Sequence, residues 1–354
     1  MTSPVPSDIR RIAVLRPNAV GDFMFTLPCL HALKAKWPDA HLVYVGKQWH
    51  ADFLRGRPGP VDEVAVIPPC PGVGLPPDAD VDRDVLDEFM HRMRAARFDL
   101  AFQVYGGGLY SNPFIREFGA RCTIGLKAPE AAPLDLSVAY GPLQNRRLQM
   151  LEVAALAGAD TLRLQRELEA TDGDRREAES VLPHDPVRPL VVLQPGASDR
   201  RRCWPAERYA ALGDILAGAG ARVAVNGTAQ EAAVVREVVA RMQRPAVDLS
   251  GRLTLSGLCG LLERASLLVS NDTGPLHLGL ALGTPCVGIY WLTNLMESAP
   301  LRQDGHRPAL SLRIHCAVCG EENLKTRCEH DASFVDGVAV DEVAALALDL
   351  LRRA

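Results

Sequence analysis

The sequence of 354 residues has few aromatic side chains, little net charge and no long apolar run. No stretch reaches the roughly 18 apolar residues of a transmembrane helix, so we expect none. Residues 1–10 lack the apolar stretch of a signal peptide. The net charge of −4 excludes the basic surplus typical of nucleic-acid binders. We therefore expect no nucleic-acid partner.

Two cofactor-binding motifs are also missing. The sequence has no G-x-G-x-x-G, which argues against a nicotinamide or flavin dehydrogenase, and no Walker lysine loop. The nine cysteines are an odd number, scattered over the chain and not preceded by a signal peptide. They favour reduced thiols and a cytoplasmic protein.

The residues present are those of a globular protein with two domains. Hydrophobic residues make up 47% and charged residues 23% of a chain long enough for two cores. Short apolar strands alternate with helical patterns in both halves, which predicts the α/β class with parallel sheets covered on both faces. The polar stretch 171–187 separates the halves. We place the domains at residues 1–175 and 176–354, with a final amphipathic helix in the second domain or packed back on the first.

Local patterns fix several elements of the N-terminal domain. The apolar run 12–15 predicts a buried strand, and residues 16–26 are expected to form the loop that follows it. Pro28 is placed at the start of the first helix, since proline is tolerated there. Five prolines and two glycines in residues 68–77 predict a surface loop.

The first candidate site is the loop RPNAVGD after the first strand. Ligands of open parallel sheets bind beyond the carboxyl ends of the strands. Gly21 allows a tight turn close to a ligand. Asp22 is then a candidate general base for an acceptor hydroxyl. The alternative is a Gly-Asp turn that caps the next helix.

The second candidate is the segment QPGASDRRRCWP between a strand and a helix. Ser198 and backbone N–H groups are suited to phosphate oxygens, and the arginines are suited to neutralising a diphosphate leaving group. Arg202 is the arginine that we single out. The alternative is a run of three solvated arginines.

The third candidate is the segment SNDTGPLH, in which Asp272, Thr273 and Gly274 are candidate substrate-binding residues before a helix with Pro275 in its first turn. A helix N-terminus offers free N–H groups and a partial positive charge to a diphosphate. His277 lies in the first turn and is placed to reach the same anion or the acceptor. The alternative is a helix cap by Asp272 or Thr273, with His277 in the core.

Two further features are less specific. Glu231, in the segment NGTAQE, is a candidate for binding a ribose or base, and equally for an acid that complements a helix dipole. Three cysteines form a C-x2-C-x8-C-x-H pattern that fits no common zinc signature: Cys316, Cys319 and Cys328. Free thiols packed in a loop are the favoured interpretation, and structural zinc is the alternative.

Taken together, these segments resemble glycosyltransferase family 9, the ADP-heptose lipopolysaccharide heptosyltransferases. The resemblance runs from about Arg11 to the C-terminal region. It is carried by RIAVLRPNAVGDFMFTLPCLHALKAKWPDA, VVLQPGASDRRRCWPAERYAAL, VNGTAQE and DLSGRLTLSGLCGLLERASLLVSNDTGPLHLGLALGTPCVGIY.

The resemblance implies a GT-B fold of two facing Rossmann-like domains, with the acceptor on the N-terminal one and the donor nucleotide on the C-terminal one. It implies an inverting transferase that needs no metal, with Asp22 as the general base. The family's diphosphate contacts correspond to Ser198, Thr273 and Gly274, and its nucleoside-binding acid corresponds to Glu231. Arg202 stands where many members have lysine, and it keeps the charge but not the lysine geometry.

The expected partners are a sugar nucleotide, ADP-heptose in the first instance, and a saccharide or glycolipid acceptor such as a lipopolysaccharide core sugar. A lipid-linked acceptor would place the protein at the inner face of the inner membrane, in peripheral contact with it. Three alternatives stay open at this point. They are a GT-B transferase with another sugar nucleotide or a natural-product acceptor, a non-catalytic sugar-nucleotide-binding protein, and an epimerase.

Overall fold

The computed structural model describes residues 5–162 and 166–353. The chain divides into two compact units, Met1–Glu167 and Leu168–Ala354. The sequence predicts this boundary after residue 175, eight positions later. In the described parts of the chain, each unit contains one parallel six-stranded sheet.

Unit 1 is built around a sheet with strand order β3-β2-β1-β4-β5-β6, in which all neighbours pair in parallel. Its strands are β1 Arg11–Leu15, β2 His41–Gly46, β3 Glu63–Val66, β4 Leu100–Gln103, β5 Cys122–Lys127 and β6 Leu136–Ala139. The chain starts in the middle, runs outward to β3, and returns to β4 on the other side of β1. The order therefore reverses between β1 and β4, where doubly wound sheets bind ligands.

The helices of unit 1 are α1 Val20–Lys36, α2 Gln48–Leu54, α3 Arg83–Ala95, α4 Ser111–Arg116 and α5 Arg146–Ala155. The predicted start of α1 at Pro28 is wrong, because the helix begins at Val20. Pro28 sits inside the helix and removes one backbone hydrogen bond. The apolar side chains of the first turns, such as Phe23 and Leu27, are fully buried, and their burial offsets that loss. The predicted loop 68–77 contains no helix or strand.

Unit 2 repeats the plan, with strand order β12-β11-β10-β7-β8-β9 and parallel pairing throughout. Its strands are β7 Leu190–Gln194, β8 Arg222–Val225, β9 Ala246–Asp248, β10 Leu267–Asn271, β11 Cys286–Trp291 and β12 His306–Ser311. The order reverses between β7 and β10. The central strands β10 and β11 are buried along their whole length, as the apolar runs predict.

The helices of unit 2 are α6 Asp172–Val181, α7 Ala206–Gly218, α8 Ala232–Arg241, α9 Leu255–Glu263, α10 Gly274–Leu282, α11 Leu292–Ser298 and α12 Val340–Leu351. Val343 and Ala347 of α12 belong to the hydrophobic core of unit 2. The final helix therefore packs within this unit, whereas the sequence also allowed it to pack on the N-terminal domain. Among the described residues, no helix combines the length and apolarity needed to cross a membrane.

Helix α6 lies within the polar stretch 171–187, where the sequence places the boundary between the two halves. Thr171 and Asp174 form a reciprocal capping box, with N–H to oxygen distances of 3.1 and 2.9 Å. The helix packs on α9 at Gly260, where an added Cβ would lie 2.2 Å from the Asp174 carbonyl oxygen. Close packing against a glycine therefore stabilises a helix whose exposed face is almost entirely polar.

Candidate functional site

In unit 2, three of the predicted segments lie side by side. They follow β10, β7 and β8, which are neighbours in the sheet, and parallel strands end at the same edge. The segment after β7, residues 195–205, is called the arginine loop below. It contains a 3₁₀ turn at Arg200–Arg202, and a second 3₁₀ turn, Ala229–Glu231, follows β8. The sequence therefore placed these segments at one edge correctly.

Asn271, the last residue of β10, fastens both ends of the arginine loop. Its Nδ2 donates to the Pro195 carbonyl oxygen at 2.7 Å, and its Oδ1 accepts from the Trp204 N–H at 3.0 Å. Asn271 and Trp204 are both buried. One amide side chain thus sets the distance of the arginine loop from β10.

Arg202 lies at the end of this loop and contacts Asp272. Its Nη1 donates to the backbone oxygen of Asp272 at 3.3 Å and to Oδ2 at 3.4 Å. These are long for charge-assisted hydrogen bonds. Its Nε and Nη2 atoms make no hydrogen bond within the described chain. The Arg202 side chain is one-quarter exposed, and its guanidinium is anchored by one nitrogen, with its other donors available to an anion.

Asp272 is almost fully buried, at 4% exposure, and is the centre of a polar cluster. Its Oδ1 contacts Nε2 of His277 at 2.9 Å and accepts from the Ser298 hydroxyl at 2.9 Å. Burial by itself raises the pKa of Asp272. The His277 hydrogen bond and the nearby charges of His277 and Arg202 outweigh that effect, so the pKa lies below its usual value. Asp272 is therefore a buried anion that positions Arg202.

The N-terminus of α10 is left uncapped by side chains. Thr273 is the N-cap residue but makes no side-chain cap, and the Asp272 carboxylate is turned to the cluster just described. Neither residue therefore acts as the cap that the alternative interpretation required. His277 is buried in the core, as that interpretation held, with its imidazole on Asp272. Gly274 presents its backbone N–H at a positive helix end, which suits a phosphate.

The two remaining predicted residues of unit 2 differ in their surroundings. Ser198 is exposed, and its hydroxyl has no partner within the described segments. Glu231 accepts from the Thr228 N–H at 2.8 Å in a capping box. Its carboxylate also lies over Gly196, where an added Cβ would stand 2.0 Å from Oε1. Glu231 therefore caps the turn that begins after Thr228, and its carboxylate also packs against Gly196 of the arginine loop.

In unit 1, Asp22 lies in the first turn of α1, directly beyond the carboxyl end of β1. Its Oδ1 forms an ion pair with Nη2 of Arg16 at 2.8 Å. The Arg16 side chain is 5% exposed, whereas that of Asp22 is 33% exposed. Asp22 has no other side-chain partner in the part of the chain that the structure describes. One carboxylate oxygen is therefore fixed by a buried arginine, and Oδ2 is free to accept a proton.

Arg16 is itself held by the edge of the sheet. Its Nη1 donates to the Val104 carbonyl oxygen just after β4, and its Nε donates to the Asp22 backbone oxygen at 3.1 Å. The Tyr44 hydroxyl donates to the Arg16 carbonyl oxygen at 2.7 Å. The ion pair thus stands at the β1–β4 reversal, where this unit's strand order predicts a ligand. Gly21 is part of α1, so the tight turn expected there is not formed.

The cysteines near the C-terminus are drawn together with a histidine. Ligand atoms of Cys316, Cys319, Cys328 and His330 all lie within 4.8 Å of one another. The nine cysteines are free. The sequence pattern favoured free thiols, and the structure now adds a compact group of three thiols and one imidazole.

Three residues with clear structural roles were not singled out from the sequence. Asn271 ends a central strand and Arg16 directly follows one, and a polar residue at that position of an apolar strand was a usable signal. Ser298 lies in α11, 26 positions from Asp272, and nothing in the local pattern relates the two. Arg16 and Ser298 each contact a predicted site residue, and Asn271 holds the loop that carries another.

The family model for glycosyltransferase family 9 (heptosyltransferase) matches residues 87–326. A curated relative, lipopolysaccharide heptosyltransferase 3 of Escherichia coli, is 24% identical over 286 residues. The match covers 77% of this chain and 81% of that protein.

Solved structures show the same architecture. A glycosyltransferase of family 9 from Veillonella parvula DSM 2008 superposes with a TM-score of 0.81 at 19% identity, covering 99% of both chains. The ADP-heptose lipopolysaccharide heptosyltransferase II of E. coli superposes with a TM-score of 0.75 at 19% identity, covering 97% of this chain and 99% of that one. These similarities confirm the predicted α/β class and GT-B fold.

Proposed function

Because the chain belongs to glycosyltransferase family 9, a family of heptosyltransferases, we propose that it transfers heptose from ADP-heptose to a hydroxyl group of a lipopolysaccharide core saccharide. The relatives support this proposal by name, since they are lipopolysaccharide heptosyltransferases and the name of one includes ADP-heptose. The observation that carries it is the sheet edge of unit 2 at which Arg202 and the N-terminus of α10, left without a side-chain cap, lie together.

The proposed reaction is a single displacement with inversion at the anomeric carbon. The acceptor oxygen forms a bond to that carbon, and the bond from the carbon to the diphosphate oxygen breaks. The electron pair of the broken bond leaves with ADP, and the proton of the acceptor hydroxyl passes to Asp22. No metal takes part in this step.

Unit 2 is assigned to the leaving group. Charge develops on the β-phosphate as the bond breaks, and fixed donors aimed at such charge lower the barrier. Arg202 supplies a guanidinium that Asp272 has already oriented, and Gly274 supplies a backbone N–H at a helix N-terminus. Ser198, exposed in the arginine loop, is proposed as a further phosphate contact. Glu231 is proposed to bind the ribose or base.

Unit 1 is assigned to the acceptor, with Asp22 as the base. A base must keep one oxygen directed at the hydroxyl, and the Arg16 ion pair fixes the other oxygen. We further propose that the protein works in the cytoplasm, since its nine cysteines are all free. A lipid-linked acceptor places it at the inner face of the inner membrane, in peripheral contact.

Calorimetric titration with ADP, UDP and GDP tests the donor assignment. We expect ADP to bind more tightly than UDP and GDP, and Arg202→Ala to weaken that binding by about tenfold or more, as expected for loss of a charge-assisted contact. Arg200→Ala is the matched control. Arg200 is the exposed neighbour in the same loop, and its side chain makes no hydrogen bond within the described residues.

Three outcomes separate the alternatives. Preference for ADP with an effect confined to Arg202 supports the proposal. Tighter binding of UDP or GDP rejects ADP-heptose as the donor. Absence of binding to all three nucleotides contradicts the assignment of unit 2 as a donor site.

A further inference from the structure

The cysteine loop, residues 312–339, joins β12 to α12 and lies outside the proposed reaction site. We propose that its Cys3His group binds one thiolate-preferring divalent metal ion, zinc or ferrous iron by its ligand chemistry, and that this ion holds the arginine loop in place. The first part stands on the cluster alone. The second part rests on the proposed function, because it concerns binding of the donor nucleotide.

The four ligand atoms already have nearly the spacing that a tetrahedral ion requires. They lie within 4.8 Å of one another, although they come from both ends of a 15-residue segment. A tetrahedral zinc with Zn–S bonds of about 2.3 Å separates its sulfur atoms by about 3.8 Å. Small side-chain rotations would bring the sulfur atoms from their present separation, at most 4.8 Å, to the distance that zinc requires. Three cysteines and one histidine are also one of the standard ligand sets of structural zinc.

The backbone around the first two cysteines is shaped for a metal. The N–H of Val318 points at the Cys316 sulfur at 3.4 Å, and the N–H of Gly320 donates to the Cys316 carbonyl oxygen at 2.9 Å. Gly320 has a φ of +77°, in the left-handed region that glycine adopts freely. This tight turn brings Cys319 back beside Cys316, and an N–H directed at sulfur stabilises a thiolate.

The histidine supplies a second, independent observation. The Nδ1 atom of His330 is buried and has no hydrogen-bond partner among the described residues. A buried imidazole nitrogen without a partner is costly, and a metal ion is one partner that removes the cost. The group contains no acidic side chain, which disfavours magnesium or calcium and favours zinc or ferrous iron.

The cysteine loop is fastened to the arginine loop at several points. Asn323 donates to the Cys328 sulfur at 3.6 Å, and its Oδ1 accepts from Nη1 of Arg201 at 3.4 Å. The Ser333 hydroxyl donates to the Cys203 carbonyl oxygen at 2.8 Å. These contacts lie on both sides of Arg202 in the sequence.

A further contact and the charge of the site strengthen this connection. The Phe334 N–H donates to the Arg201 carbonyl oxygen at 2.8 Å. Three thiolates and a neutral imidazole around a divalent ion carry a net charge of −1. The Arg201 guanidinium, whose main partner is the Asp199 carboxylate at 2.7 Å, also reaches Asn323 of the cysteine loop at 3.4 Å and so brings a positive charge near the group. Because Arg202 follows directly, an ion that fixes the cysteine loop also limits the movement of Arg202.

The test begins with the metal content of untagged protein, measured by mass spectrometry after purification without chelators. We expect about one equivalent of zinc or iron per chain, and the identity of the metal distinguishes the two. Cys319→Ser should abolish the binding, and because Cys319 is exposed this variant is expected to fold. Cys70→Ser, the same change at a thiol of unit 1, is the control and should keep the metal.

Replacement of the ion by cobalt gives an independent readout. A tetrahedral thiolate site should produce visible d–d bands and a sulfur charge-transfer band, both absent in Cys319→Ser. The metal-site proposal would be overturned if purified wild-type protein contained no more metal than Cys319→Ser and showed neither band after cobalt was added.

The second part is tested by nucleotide titration before and after metal removal. We expect loss of the ion to weaken ADP binding by about tenfold or more, and re-addition to restore it, since the anion-binding guanidinium loses its fixed position. Unchanged ADP binding in metal-free protein would overturn the coupling. Failure of the loaded protein to bind ADP would count against the proposed function alone, because metal content and cobalt spectra do not involve nucleotide.

Discussion

Replacing Asp22 by asparagine removes the proposed base with the smallest change in shape. The new amide would keep an oxygen for Nη2 of Arg16, now 2.8 Å from Oδ1, and Arg16 would keep its bonds to two backbone oxygens. The variant loses the ionic part of one pair whose carboxylate is one-third exposed. We therefore expect a stability loss of at most about 2 kcal/mol, in the range of one hydrogen bond to a charged group.

The effect on catalysis should be much larger. An amide cannot take the proton of the acceptor hydroxyl, and a general base contributes about 10²–10⁴-fold to the rate, or about 3–5 kcal/mol of the barrier. The assay is kcat for ADP release in the presence of acceptor, with ADP affinity measured in parallel. We expect kcat to fall by that factor and ADP affinity to stay within about twofold, since unit 2 is assigned to the nucleotide.

Asp39→Asn is the matched control, because Asp39 is an exposed aspartate of the same unit with no side-chain partner in its described surroundings. It should leave kcat unchanged. A folded Asp22→Asn variant with near-normal turnover would refute the general-base assignment. Equal losses in both variants would show that the assay reports on stability and not on the base.

The polar cluster of unit 2 gives two further predictions. Asp272→Asn should lower the free energy of unfolding by about 2 kcal/mol at pH 7, since a buried anion loses charge-assisted bonds. The pKa of Asp272 is lower in the folded state than the unfolded value of 3.8, so the ionised carboxylate stabilises the fold above pH 3.8, and this stabilisation is lost as the pH falls through the folded-state pKa. The melting temperatures of the variant and the wild type should therefore converge as the pH falls below 3.8. A constant difference between the two melting temperatures would contradict this. Asn271→Ala should destabilise unit 2 by about 2–4 kcal/mol in thermal unfolding, because the Pro195 carbonyl oxygen and the Trp204 N–H would be buried without a hydrogen-bond partner. A loss of stability below about 1 kcal/mol would show that water replaces both hydrogen bonds.

The sequence was most informative where one physical effect decides the structure. Buried parallel strands consist of continuous apolar runs, so β1, β7 and β10 could be predicted from the local sequence alone. The loops that follow such strands meet at one edge, which predicted the grouping of the arginine loop with the Thr273–Gly274 segment. The chain order of strands and helices was enough for both conclusions.

The sequence was least informative where tertiary packing outweighs local preference. Helix α6 is polar on most of its surface and depends on contact with Gly260 of α9, which no local pattern shows. Pro28 is a helix breaker by propensity, but the burial of α1 overrides it. Arg16 holds Asp22 across a helix start, and Ser298 contacts a residue that is distant in sequence. The position of Arg16 after an apolar strand was a usable signal for a polar role but did not identify Asp22 as its partner, and the role of Ser298 could not be predicted from spacing.

The most direct test of the central claim is transfer from ADP-heptose to a lipopolysaccharide core acceptor that lacks heptose. Purified protein is incubated with both substrates, and the product is identified by mass spectrometry and its anomeric configuration by NMR. The account predicts one heptose added per ADP released, with inverted configuration, in the wild type but not in Asp22→Asn. Binding of ADP-heptose without transfer to any core acceptor, or transfer with retained configuration, would contradict it.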